Sequence, residues 1–156
     1  MKTYILLILL LLPATFSFPR TVELHRRGIL YTKDLVLFIQ TINSESVGQS
    51  FAEKLRTGSV ILNRLNDPEF PKTLRQVIYQ KKQFKGLKTK NFKLDYNSLK
   101  GRESIKAGIF LYKYGSILPR DIVYFHNPKI GQDKEWMAKI KHKLYIKGDG
   151  HWYFRK

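Results

Sequence analysis

Apolar residues recur along much of this 156-residue chain at spacings of three and four, the period of an amphipathic helix. Thr32 can cap a first helix, with Asp34 in its opening turn and Leu35, Phe38, Ile39 and Ile42 as its stripe. Three positions beyond Ile42 stands Glu45, so a carboxylate lies near the buried side of that helix, at its C-terminal end. Ser50 and Glu53 form a capping-box pattern, followed by the stripe Phe51, Leu55, Gly58, Leu62 and Leu65, broadened by Val60 and Ile61. A glycine inside a helix costs up to ~1 kcal/mol, and a close contact with another helix would explain Gly58. "NDPEFP" (66–71) reads as a turn, and Thr73 with Gln76 opens a short helix through Tyr79.

Residues 81–97 are lysine-rich and weakly periodic, which predicts a long loop. Asn97 or Ser98 starts another helix, expected to carry Ile105, Ile109 and Tyr112 on one face and to stop at Gly115. "DIVYFHNP" (121–128) predicts a strand closed by Pro128, and residues 135–140 a short helical turn. At the end of the chain two β-prone runs flank Gly148-Asp149-Gly150, a hairpin signature. The pattern describes an α+β domain, mostly helical with a small β part.

The first residues change this picture. Lys2, an apolar run from Tyr4 to Leu12, Pro13, and the small residues Ala14, Thr15 and Ser17 read as a secretory signal over 1–17. The run is short for a membrane span of roughly 20 residues, though an uncleaved anchor is the alternative. Residues 18–156 then form one domain, exported to a periplasm, a cell envelope or the medium. The chain has no cysteine, which excludes disulfides, a thiolate nucleophile and cysteine-ligated zinc. Four histidines without an HExxH spacing do not make a metal site, and neither metal nor cofactor is expected. The 29 Lys and Arg outweigh 12 Asp and Glu, for a formal charge of +17 that favours an anionic partner. For an exported chain, anionic envelope polymer or a membrane surface fits better than nucleic acid. Lys81, Lys82, Lys85, Lys88, Lys90 and Lys93, interleaved with Phe84 and Phe92, imitate a nucleic-acid surface, but no nucleic-acid module accompanies them.

Glu45 is the candidate for chemistry. A carboxyl moved toward apolar surroundings keeps its proton to higher pH and can then donate it to a glycosidic oxygen. Glycosidases commonly pair two carboxylates about 5 to 9 Å apart. The available second acids are Glu53, expected in a cap, Asp67 and Glu69, in a turn, and Asp95, in the loop. None stands out.

Several blocks, in order, resemble the SleB/CwlJ-like family of spore-cortex-lytic cell wall hydrolases. "SESVGQSFAEKLRTGSVILNR" (44–64) matches that family's "GEARGE" run followed by "AAVILNR" without a gap. The motif's acid falls on Glu45, its glycine on Gly48, and its second acid on Gln49, which can hydrogen-bond but carries no charge. The "FP.T...V..Q..QF" pattern matches Phe70, Pro71, Thr73, Val77, Gln80, Gln83 and Phe84. The "A..YF.NP" strand matches Val123, Tyr124, Phe125, Asn127 and Pro128, and the terminal "IG.H.FY" matches "IKGDGHWYF" with His151, Trp152 and Tyr153.

The resemblance implies a lysozyme-like α+β fold and cleavage of peptidoglycan between N-acetylmuramic acid and N-acetylglucosamine. It implies a lytic transglycosylase that leaves 1,6-anhydro-muramoyl ends, with Glu45 as the single acid/base and the muramoyl C6 hydroxyl as nucleophile. Gln49, Gln80, Gln83, Phe84, Tyr124 and His151 are the expected substrate-binding residues, on a monomer that needs no activating metal. For Arg64 a structural role is expected, since pairing with Glu45 would lower the acid's pKa. Trp136 and Trp152 are expected in the core. Two alternatives stay open: a muramidase giving reducing ends, and a non-catalytic cationic protein that binds peptidoglycan or a membrane.

Overall fold

A computed structural model describes residues 32–81, 83–129 and 134–156. The leader and the segment up to residue 31 lie outside the described residues. The helices are α1 (Thr32–Glu45), α2 (Phe51–Asn66), α3 (Leu74–Ile78), α4 (Leu99–Tyr114) and α5 (Lys134–Ile140). The strands are β1 (Ile122–His126), β2 (Leu144–Lys147) and β3 (Trp152–Arg155), in an antiparallel sheet ordered β1-β3-β2.

The α1 stripe is buried as its spacing predicts, with Phe38 and Ile42 fully inside and Ile39 nearly so. Asp34 lies in the first turn, and the helix starts at Thr32 itself. Helix α2 is central. It packs on α1, α4 and β1, and Val60, Ile61, Leu62 and Leu65 are buried. Gly58 marks the close approach. A Cβ there would lie 2.7 Å from Ile42 Cδ1 and would overlap Leu111. The predicted α2 stripe fails at its start, because Phe51 is exposed while Glu53, Lys54 and Thr57 are buried. The first turn of α2 is covered by the β-hairpin, a partner that helical periodicity cannot register.

Helix α4 starts at the Ser98 cap, whose hydroxyl accepts from Gly101 N–H, and stops at Gly115 with φ 82°. Its buried face differs from the predicted one. Gly101, Ser104, Ala107, Gly108 and Leu111 point inward, and Ile109 is exposed. Small residues let α4 approach α1 closely, since a Cβ on Gly108 would overlap Ile39. Residues 81–97 are also more ordered than a loop. Two 3-10 turns, Lys85–Lys88 and Lys90–Phe92, pack against α1. The hairpin forms as expected, with β2 and β3 flanking Gly148-Asp149-Gly150 and closed by Gly148 N–H donating to His151 O at 2.7 Å.

Candidate active site

Glu45 is the last residue of α1, where the chain leaves the helix for a five-residue turn into α2. Gly48 takes φ 72° in that turn, a left-handed conformation that glycine adopts without strain. Lys54, fully buried, reaches back from α2 to donate to Ser46 O at 3.1 Å and braces the turn from below. The Glu45 carboxyl is thus fixed at the junction of two packed helices rather than on a free loop.

One backbone donor reaches it. Gly86 N–H donates to Glu45 Oε1 at 2.6 Å from the first 3-10 turn. Gly86 is needed for that approach, because a Cβ would lie 2.7 Å from Ser44 O and 2.8 Å from Glu45 Oε1. Burial raises the Glu45 pKa above its ordinary value. The Gly86 bond and the electrostatic influence of His151, Arg64 and Lys85 pull the other way without cancelling it. Among the described residues, the charged groups that act on Glu45 include no carboxylate.

Arg64 is held by structure, as expected. Its Nε donates to Val123 O at 2.6 Å, and its guanidinium lies 5.3 Å from the ring centres of Phe70 and Phe84 and 5.7 Å from Tyr124. Burial lowers its pKa to about 10, so it stays charged at neutral pH. Among the described residues, Arg64 Nη1, Gln80 Oε1 and His126 Nε2 are buried without a hydrogen-bond partner.

The expected substrate residues are distributed unevenly. His151 is almost fully buried and acts on Glu45, and Tyr124 is half-buried against Arg64. Gln80 has its buried amide oxygen. Gln83 is exposed. Phe84 is inside the main core, where it stacks on Arg64 and Phe125 instead of lying open to a sugar. Gln49 packs on the hairpin turn, since a Cβ on Gly150 would overlap its carboxamide. Trp136 is half-buried among Tyr124, His126 and Phe154, consistent with a packing role. Asp95 sits before α4, where its Oδ1 accepts from Asn97 N–H at 3.0 Å.

Glu53 departs most from its expected role. Ser50 Oγ caps Glu53 N–H at 3.2 Å, but the return bond of a capping box is missing. Instead Asp149 Oδ2 accepts from Ser50 N–H at 3.4 Å. The freed Glu53 carboxylate turns into the protein and is fully buried. Its Oε1 accepts from His151 N–H at 2.8 Å and Tyr153 O–H at 2.8 Å, and lies 3.1 Å from His151 Nδ1. Its Oε2 accepts from Arg56 Nη1 at 3.0 Å. The sequence signal was present in the match of Gln49 to an acid. An acid four residues further along reaches the same hairpin turn, because Gly148 leaves room for it. Gly86 was hidden among the lysines around it.

Comparison with other proteins fits this geometry. The catalytic domain of SleB from Bacillus cereus superposes with a TM-score of 0.66 at 22% identity, over 80% of this chain and 91% of that one. The catalytic domain of the germination-specific lytic transglycosylase SleB from Bacillus anthracis gives 0.63 at 19% identity, over 80% and 96%. At these identities the likeness speaks for the fold, a lysozyme-like α+β arrangement, mostly helical with a small antiparallel sheet. No curated protein matches the sequence. The sequence profile of the Cell Wall Hydrolase family matches residues 48–154, beginning three residues after Glu45 and ending within β3. The chain belongs to the cell wall hydrolase family.

Proposed function

We propose that this protein is a peptidoglycan lytic transglycosylase that uses Glu45 alone as acid and base. The observation that carries the reading is a carboxyl whose pKa is raised by burial, fixed at a helix end, and acted on by basic groups but, among the described residues, by no second carboxylate. Bound glycan would place the oxygen between N-acetylmuramic acid and N-acetylglucosamine at Glu45. The protonated carboxyl gives its proton to that oxygen as the C1–O bond breaks. The resulting carboxylate takes the proton of the muramoyl C6 hydroxyl as O6 bonds to C1, closing a 1,6-anhydro ring. Glu45 ends protonated, and no water enters. Arg64 and Lys85 stabilise the carboxylate between the two steps. The leader composition supports export to the envelope as part of the same reading.

The full chain and its Glu45→Gln variant would be incubated with purified peptidoglycan, and soluble products read by mass spectrometry before any chemical reduction. Anhydro-muramoyl fragments from the parent only are expected. Reducing muramoyl ends, heavier by one water, would make the enzyme a muramidase. Wall binding without fragments from the parent would make it a binder.

A further inference from the structure

The lytic reading leaves the buried carboxylate of Glu53 without a task. Removing a carboxylate from water is costly, and a neutral acceptor would tie down the hairpin with less penalty. What a carboxylate adds is selectivity, because it only accepts hydrogen bonds. At 3.1 Å from His151 Nδ1, it requires that this nitrogen carry the proton. The same oxygen accepts from the His151 backbone N–H, so ring and backbone are gripped at one point. Phe125 holds the ring from another side, with centroids 4.9 Å apart and planes at 73°. Tyr153, whose pKa is pushed up by burial and by Glu53, remains a neutral phenol and donates to that oxygen as well. Arg56 compensates the charge from the other oxygen. A ring fixed in this way has its second nitrogen, Nε2, committed as an acceptor, or as a donor when protonated.

We propose that Glu53 is a positioning residue for wall cleavage: it holds His151 in the Nδ1–H form. This rests on the reading of Glu45 as the acid and base. Among the basic groups that act on Glu45, Arg64 is locked between three rings and Lys85 is exposed. His151 is the buried one whose proton placement a neighbour can set. A carboxylate that orients a histidine in this way is a recurring device, and at metal-bound histidines removing it costs about 10- to 100-fold in activity.

The test uses the full-length parent and its Glu53→Gln, His151→Asn and double variants on soluble glycan strands, with ring ¹⁵N NMR of His151. Protonated Nδ1 is expected in the parent. In folded Glu53→Gln, kcat should fall about 10- to 100-fold with KM within about twofold, and the ring should lose its Nδ1–H preference. The double variant should be no slower than the slower single one. An inactive parent removes the enzyme reading and this one with it. An active parent with unprotonated Nδ1 overturns only this one. So does a Glu53→Gln variant as fast as the parent, or a slow one with an unchanged ring spectrum. Should Glu53→Gln not fold, His151→Asn decides, and parent-level activity in that variant overturns the proposal.

Discussion

Two glutamates stand eight positions apart on either side of one turn, and the fold treats them oppositely. Glu45, at the end of α1, is partly buried and receives one backbone hydrogen bond. Glu53, in the first turn of α2, is fully buried and is met by donors from His151, Tyr153 and Arg56. Burial with few donors raises a carboxyl's pKa and prepares it to give up a proton to substrate. Burial with many donors makes a carboxylate a fixed anchor. The difference shows that neither burial nor residue type marks an acid catalyst. The donors aimed at a buried carboxyl also set how readily it holds its proton.

The comparison breaks most sharply at Glu45 itself. Glu45→Gln should lose about 10³-fold in cleavage rate, with wall binding kept, as read by fragment release against pull-down on insoluble peptidoglycan. An equally active variant would end the assignment of the acid. Glu53→Ala should show the reverse emphasis. It removes the shared acceptor of Tyr153 O–H, His151 N–H and Arg56, and urea unfolding should report a loss of about 3 kcal/mol. A loss below about 1 kcal/mol would mean that water replaces the carboxylate and that the anchor is weak.

A milder change lies between them. Gly86→Ala inserts a methyl where Glu45 Oε1 and Ser44 O already sit, so the turn must withdraw and its N–H must release the acid. Cleavage should drop about tenfold, a rise of about 1.4 kcal/mol in the barrier, with the unfolding midpoint little changed. The smallest effect concerns stability and pH. The Glu45 pKa is raised in the fold, so between the ordinary glutamate value and the raised one the folded state binds more protons than the unfolded chain. Stability therefore falls as pH rises through that window. Glu45→Gln should be slightly more stable than the parent at neutral pH, and the gap should close below the ordinary glutamate range. Denaturant melts at several pH values would show it. A gap that widens in acid would contradict the raised pKa.

Much of the frame was legible in the chain. The α1 stripe, the Ser98 and Thr73 caps, the strand ending before Pro128 and the hairpin at Gly148-Asp149-Gly150 all formed where local pattern put them. Gly58 met Ile42 and Leu111 as a glycine at a helix contact should. These features depend on neighbours within a turn or two, and local sequence encodes them. The buried face of α4 was not legible, because glycine, serine and alanine carry little hydropathy while deciding how closely helices pack. Phe84 read as a sugar contact and proved to be core, since an aromatic residue has the same signature in either place.

By itself, then, the sequence determined the helices, the hairpin and the placing of Glu45 at a helix end. Tertiary structure alone decided what each carboxylate meets. Gly86 reaches Glu45 from 41 residues away, and His151 and Tyr153 reach Glu53 from 98 and 100 residues away. Proton affinity depends on donors and burial in space, and no periodicity along the chain records which distant segment will supply them.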